Sequence, residues 1–317
     1  MERVPRIGNA SLSSFGPENL ILTGANTRHH VASFAGPIAI KAVSYGEVEW
    51  RLEGHRYLIR PDTLLLLPDG DEYAMTIDSQ EPSRTFCPVF RRGLVEDAWR
   101  VAVSTDEQLL DAPNETTAFG FHRRLVSRSG PLGRVVNALA AAVIAKESPD
   151  RLSWLFEALG ASAADLVMEG RRETARLSAV RLATRCEIHR RLIIAREAIE
   201  DNLAARWTLV SMASEATMAP HHFHRCFHDA FKETPRGWLS RRRAERALAL
   251  LQTSSRSVTD ICFAVGGSSV SSFSFSFSRR FGIAPSRVGR RSHADVVGER
   301  LPDQRGRDAA SFARGVR

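Results

Sequence analysis

Along the first third of the chain, apolar residues come in short runs broken by turn-forming residues, and this pattern predicts strands. Ile38–Val43, Val48–Leu52, Tyr57–Ile59, Thr63–Leu67 and Tyr73–Ile77 are rich in β-branched and aromatic side chains. Tyr45-Gly46, Glu53-Gly54, Pro61-Asp62 and Pro68-Asp69-Gly70 separate them. Phe86–Phe90 and Thr117–Phe121 read as further strands, and the spacing suggests a small antiparallel barrel or sandwich. From Gly133 the period changes. GRVVNALAAAVIAKE and RLSWLFEALGASAADLVME carry apolar residues at helical intervals. Helices after a sheet make this half an α+β domain. The polar stretch Glu169–Ser178 reads as a linker or helix junction. From Glu187 to Ser292 the chain reads as short helices with brief breaks. The expected division is a domain over 1–175, a helical domain over 176–291 and a disordered tail, rich in Gly, Arg and Asp, over 292–317.

The helical part repeats itself. Phe223 and Phe227 are four residues apart, and so are Phe273 and Phe277, fifty residues later. Side chains at i and i+4 share one face of a helix, so each pair marks the core side of a short helix. Each pair follows a break, Thr217-Met218-Ala219-Pro220 or Gly266-Gly267-Ser268-Ser269, and each break follows a short helical segment, Val210–Ala216 or Val258–Val265. Helix, tight turn, helix is thus predicted twice, over about 207–229 and 257–280. Such a motif needs a small residue where its helices cross and a permissive residue at its turn. Ala213 and Cys262, each four residues before the turn residue, meet the first need, and Gly266 the second. Trp238–Leu251, with Leu239, Ala247, Leu250 and Leu251 on one side, is expected to be a single helix joining the units. Two reading helices on one rigid chain could enter adjacent major-groove segments, about 34 Å apart on one DNA face. A helical bundle with a repeated packing motif is the bland alternative.

Charge sharpens the choice. Residues 1–175 hold 19 Lys+Arg against 23 Asp+Glu, whereas residues 176–317 hold 25 against 13. A basic C-terminal part suits a polyanion, although a solvated basic surface would also explain it. The cysteines Cys87, Cys186, Cys226 and Cys262 form no CxxC pair and have no metal-ligand spacing, which fits a reducing cytoplasm. No apolar run approaches the roughly 20 residues of a membrane span, and the first residues lack the apolar stretch of a secretory signal. No GxSxG, Walker loop or strand-to-helix GxGxxG is present. His29-His30, His55 and His122 do not form the HxH set of a metal-holding cupin. The expectation is therefore no enzyme, no cofactor and no metal.

The second unit, ICFAVGGSSVSSFSFSFSRRFGIAP, resembles the most recognisable stretch of the AraC-type regulators through Ile261, Ala264, Gly266, Ser271, Phe273, Phe277, Arg280, Phe281, Gly282 and Pro285. The first unit matches through Ala213, Met218, Pro220, Phe223, Arg225 and Phe227, and the connecting helix through Arg243, Ala247 and Leu250-Leu251. The resemblance covers about Glu187–Val288. The N-terminal half is similar to the cupin-like sensor or dimerisation domains of that family, best over TLLLLPDGDEYAMTID. The chain departs from the family pattern in five places. Gly267 replaces an aromatic, Phe275 an Arg and Ala219 a capping Ser. Phe231 stands where Gly is frequent, and Val288-Gly289 replaces Tyr-Arg. The resemblance implies a homodimer formed through the N-terminal half, control by a small-molecule effector, contact with RNA polymerase and activation of transcription. An architectural DNA-binding protein without a ligand is the alternative.

With Phe223 and Phe227 turned inward, the outer face of the first reading helix carries His221, His222, Arg225, His228 and Asp229. Arg225 suits a guanine edge, which its fork can bond twice, or alternatively a phosphate. His224 and His228 are spaced to chelate, but nothing completes a metal set. The second helix offers Ser268, Ser269, Ser271, Ser272, Phe275, Ser276 and Arg279. The serines suit capping and phosphate oxygens, and Phe275 suits either a thymine methyl or packing on the connecting helix. Ile261, Cys262, Gly266, Phe273, Phe277, Phe281 and Pro285 form the expected core of the second unit, and Ala213, Phe223 and Phe227 that of the first. Arg241, Arg242, Arg243, Arg279 and Arg280 are candidates for DNA-backbone contact, with structural ion pairs for some of them, such as Arg243 with Glu197 or Glu200, as the competing role.

Overall fold

The computed structural model describes residues 16–52, 54–105 and 123–288. The Thr117–Phe121 strand, His122 and the 292–317 tail lie outside the described residues. Among the described residues seven antiparallel strands form one curled sheet: β1 (Leu20–Ala35), β2 (Ala39–Tyr45), β3 (Val48–Leu52), β4 (His55–Ile59), β5 (Thr63–Leu67), β6 (Glu72–Val89) and β7 (Arg124–Ser127). Their order is β4-β3-β6-β2-β5-β7, with β1 also on β6. The fold is α+β with a cupin-like half-barrel followed by a helical domain.

Both faces of this sheet are covered, which explains β5. Its sequence, TLLLL, has no alternation because every residue is buried. Leu64 and Leu66 face helices α1 (Leu94–Val103), α2 (Pro131–Ile144) and α3 (Pro149–Ala175), packing with Leu94, Val136, Leu139 and Leu155. Leu65 and Leu67 face the concave interior with Trp50, Tyr57, Tyr73 and Val89. Lys41 is buried on that inner side and donates to the Tyr73 hydroxyl at 2.7 Å.

The sequence pattern misses several features. Leu20–Ala35 is a strand of exposed and half-exposed residues with Leu22 alone buried, and β6 supplies its ladder. The segments Tyr73–Ile77 and Phe86–Phe90 are not separate strands but parts of β6. The Pro82 between them is accommodated by a bulge, where the register with β1 jumps between Asn26 and Arg28. α1 is also absent from the sequence reading. Of the linker or helix junction expected over Glu169–Ser178, the structure has the junction, late in that stretch, since α3 runs on to Ala175, started by Ser148, whose side chain accepts from Arg151 N–H.

The helical domain contains α4 (Leu182–Asp201), α5 (Leu209–Glu215), α6 (Pro220–Phe231), α7 (Pro235–Thr253), α8 (Val258–Ala264) and α9 (Val270–Phe281), ending in a 3-10 turn at Pro285–Arg287. It has two cores. One joins α4, α5, α6 and the start of α7 through Leu192, Ile199, Met212, Phe223, Phe227 and Trp238. The other, smaller, joins the end of α7 to α8 and α9 through Ala247, Leu251, Ile261, Val265 and Phe277. Among the described residues no helix is long and apolar enough to cross a membrane.

Candidate nucleic-acid interface

Each unit is built by the same local chemistry at its entry. Thr208 caps α5 and Ser257 caps α8, each in a reciprocal box with the third helical residue, Ser211 or Asp260. Both first helices then end alike. Thr217 N–H donates to Ser214 O and Met218 N–H to Ala213 O; in the second unit Gly266 N–H donates to Phe263 O and Gly267 N–H to Cys262 O. A left-handed residue makes each reversal, Thr217 at φ 52° and Gly266 at φ 81°. Ala213 and Cys262 are fully buried at the helix crossings. The second turn holds one residue more before its reading helix begins.

The reading helices differ at their starts. No side chain caps α6, where Ala219 occupies the cap position and Pro220 follows; Ser269 caps α9 by accepting from Ser272 N–H. Inside, three rings rather than two line each helix. Phe223, Phe227 and Phe231 stack in series, as do Phe273, Phe277 and Phe281, with successive centroids 4.6–5.7 Å apart. This corrects the placing of Phe231 at a glycine position. Phe231 is the partner of Phe281, and the counterpart of Gly282 is Lys232. Both residues after the helix are left-handed, at φ 55° for Lys232 and 70° for Gly282, and close it with N–H bonds to His228 O and Ser278 O. Ile261, Cys262, Phe277 and Pro285 are buried, while Phe273 and Phe281 are partly so.

The outer faces are open. On α6, His221, His224, Arg225 and His228 are exposed and His222 half-exposed; the Arg225 guanidinium lies 3.3 Å from His222 Nδ1. On α9, Ser268, Ser269, Ser271, Ser272, Ser276, Arg279 and Arg280 are exposed, and Phe275 is 71% exposed rather than packed on α7. Among the described residues no group of three His, Cys, Asp or Glu is placed to hold a metal. His29, His30 and His55 sit at half-exposed or exposed strand positions.

The arginines of α7 take the structural role that was the alternative to DNA contact, though Arg243 does so without an ion pair. Arg241 pairs with Glu233 and Glu245 at 3.0 and 3.1 Å. Arg242 is buried, pairing with Glu200 at 2.7 Å, Asp62 at 3.2 Å and Glu245, and its Nη1 also donates to Ser127. Arg246 joins Asp62 at 2.6 Å and Glu200 at 3.3 Å. Arg243 makes no ion pair with Glu197 or Glu200; its Nε and Nη2 donate to Leu203 O and Ala205 O, each at 2.8 Å. None of Arg241, Arg242 and Arg243 is available for a phosphate without dismantling these contacts.

Asp62 and Ser127 belong to the sheet domain, so this cluster is also the seam between the domains. Burial pushes the Asp62 carboxyl up, but Arg246 and Arg242 outweigh it and hold the group below its ordinary value. Further along, Glu173 of α3 accepts from Arg124 and meets His189 of α4 at 2.8 Å, and Arg176 donates to Ala230 O of α6. Glu197, which accepts from the Tyr57 hydroxyl at 3.4 Å, is pushed up by burial to about 7, and Asp201 beside it to about 6. The cleft left at the seam has a volume of about 40 Å³, far below the roughly 300–1,000 Å³ of small-molecule sites.

Comparison with known proteins agrees with both halves. Residues 212–291 match the helix-turn-helix domain family and residues 27–166 the AraC-like ligand binding domain family. The virulence regulon transcriptional activator VirF of Yersinia enterocolitica is 37% identical over 90 residues, 28% of this chain and 33% of that protein. The HTH-type transcriptional regulator ExsA of Pseudomonas aeruginosa is 37% identical over 89 residues, 28% of this chain and 32% of that protein. The chain thus aligns with about a third of the length of these curated relatives. Among solved structures, the DNA-binding domain of AdpA in complex with a target DNA is 26% identical over 30% of this chain and 86% of that one, with a TM-score of 0.29. ToxT from Vibrio cholerae is 12% identical over 90% of this chain and 98% of that one, with a TM-score of 0.33. With an AraC-like domain ahead of a doubled helix-turn-helix domain, the chain belongs to the AraC-type family.

Proposed function

We propose that the protein is a sequence-specific DNA-binding regulator of transcription that inserts α6 and α9 into adjacent major-groove segments of a promoter. The observation that carries this is the pair of reading helices, each with an aromatic inner row and an open polar outer face, mounted at the two ends of α7. In this reading Arg225 bonds a guanine edge, with His221, His222 and His228 at neighbouring bases or phosphates. Ser269, Ser271, Ser272, Ser276 and Arg279 contact the backbone, and Phe275 meets a thymine methyl. The protein acts as an activator, as the name of VirF says of that relative, and touches RNA polymerase. It is a cytoplasmic homodimer joined through its N-terminal half, and it is not an enzyme.

The sheet domain carries the control. An effector held there shifts the equilibrium only if it favours one arrangement of the seam over another. The Asp62 contacts with Arg242 and Arg246 give such a change a direct route to α7 and so to both readers. The test is selection of duplexes from a randomised pool by the full chain, followed by Arg225→Ala on matched and singly mismatched sites. Base reading predicts lost discrimination at one position, by about 1–3 kcal/mol; equal loss on every sequence would overturn it.

A further inference from the structure

Three consecutive arginines on α7 reach three different parts of the molecule. Arg241 stays with Glu233 and Glu245, Arg242 reaches the sheet domain, and Arg243 holds the turn that leads from α4 into the first unit. The same turn is pressed from the other side by the second unit. A Cβ at Gly266 would stand 2.6 Å from Ala204 O and 2.8 Å from Arg243 Nη2. Gly266 is also the left-handed residue that reverses the chain between α8 and α9. One guanidinium, one short turn and one glycine therefore meet where the two separately cored units come side to side.

We propose that Arg243 and Gly266 are positioning residues that fix the rotational phase between the two reading helices, and with it the spacing of the two DNA boxes the chain accepts. This rests on the DNA-binding reading above. α7 runs through both cores, with Trp238 and Leu239 in the first and Ala247 and Leu251 in the second, so the units are already tied along its length. The planar Arg243 fork on two carbonyls adds a tie away from that axis, holding the first unit's entry turn against α7, because both donors must stay in one plane with their acceptors. Gly266 lets the second unit's turn close onto that fork with no side chain between. One base pair of DNA rises about 3.4 Å and rotates by about 34–36°, so a pair of readers held in fixed phase discriminates against a one-base-pair change of spacing.

The experiment uses the full chain and duplexes it selects from a randomised pool. The most enriched duplex is remade with one base pair added or removed between its boxes, and with the first box alone. The wild-type chain is expected to lose about tenfold or more in affinity on either spacing change. Arg243→Gln and Gly266→Ala are expected to flatten that penalty to under about threefold, while affinity for the single-box duplex stays within about twofold of wild type. Arg243→Lys keeps the charge but loses the fork, and is expected to behave as Arg243→Gln does. Where Arg243→Gln fails to fold, Arg243→Lys carries the test, because Gly266→Ala strains the left-handed turn as well as meeting Ala204 O. Folded variants that keep the wild-type spacing penalty would overturn the proposal, and so would a matching loss on the single-box duplex. A wild-type chain that enriches no sequence would instead overturn the DNA-binding reading itself.

Discussion

The two helix-turn-helix units share a plan and solve it with opposite resources. The second has favourable local chemistry at every junction: Gly266 at the left-handed turn, Ser269 capping the reading helix and Gly282 closing it. The first has Thr217, Ala219 and Lys232 at the same points. A β-branched residue and a lysine in left-handed backbone, with an uncapped helix start, cost on the order of 1 kcal/mol each. The first unit offsets this with tertiary contacts. Its core is the larger one, Arg196 lies over the Phe231 and Trp238 rings, and Arg176 reaches it from beside α3. Every described hydrogen bond or ion pair between the domains lands on α4, α6 or α7, and none on α8 or α9. Local propensity is dispensable where packing is rich, and needed where it is thin.

The largest test of this contrast is truncation of the central ring. Phe227→Ala and Phe277→Ala each remove a fully buried phenyl and are expected to cost about 4 kcal/mol. Hydrogen exchange should show Phe277→Ala releasing α8 and α9 alone, whereas Phe227→Ala should loosen α4 to α7 and the domain seam together. Equal, global loss of protection in both variants would erase the distinction. On DNA, Arg225→Ala is expected to remove about 1–3 kcal/mol of discrimination at one base pair, and Phe275→Ala about 1 kcal/mol at a thymine. Binding titrations on single-substitution duplexes measure both, and a larger effect at Phe275 would reverse the assignment of roles.

The seam adds a pH dependence that should touch the first unit only. Burial raises Glu197 from an ordinary value of 4.5 to about 7. The cost of ionising it in the folded protein is absent below pH 4.5, grows as pH rises, and is complete above pH 7. Glu197→Gln is therefore expected to stabilise the protein by about 2 kcal/mol at pH 8 and not at pH 4.5, read from calorimetric unfolding at both. A gain independent of pH would rule out this origin. The smallest effects are the local ones. Thr217→Gly, Ala219→Ser and Lys232→Gly should each stabilise the first unit by about 1 kcal/mol in denaturant titrations. Loss of stability at Thr217→Gly would mean that its side chain has a role beyond the turn.

Several features were legible in the sequence because one periodicity carried them. β3 and β5 have the bounds their apolar runs predict, and the Phe pairs identify both reading helices. β1 was not legible, because a strand without regular alternation of apolar and polar residues gains its order from the partner it pairs with rather than from its own pattern. The roles within Arg241-Arg242-Arg243 were hidden for a related reason. Successive helical residues point about 100° apart, so a basic run that resembles one patch in the sequence splits into three directions. The two after Arg241 meet partners as far as 38 to 180 positions away in the chain.

The sequence alone determined that there are two readers, their caps, their aromatic rows and the open faces that follow from them, since these depend on residues within one or two turns of each other. Only the tertiary structure decided which arginines remain for DNA, how the first unit tolerates a strained turn, and where the units touch. Those outcomes depend on Asp62, Glu200, Ala204 and Gly266 arriving beside α7 from distant parts of the chain, and no local pattern encodes that meeting.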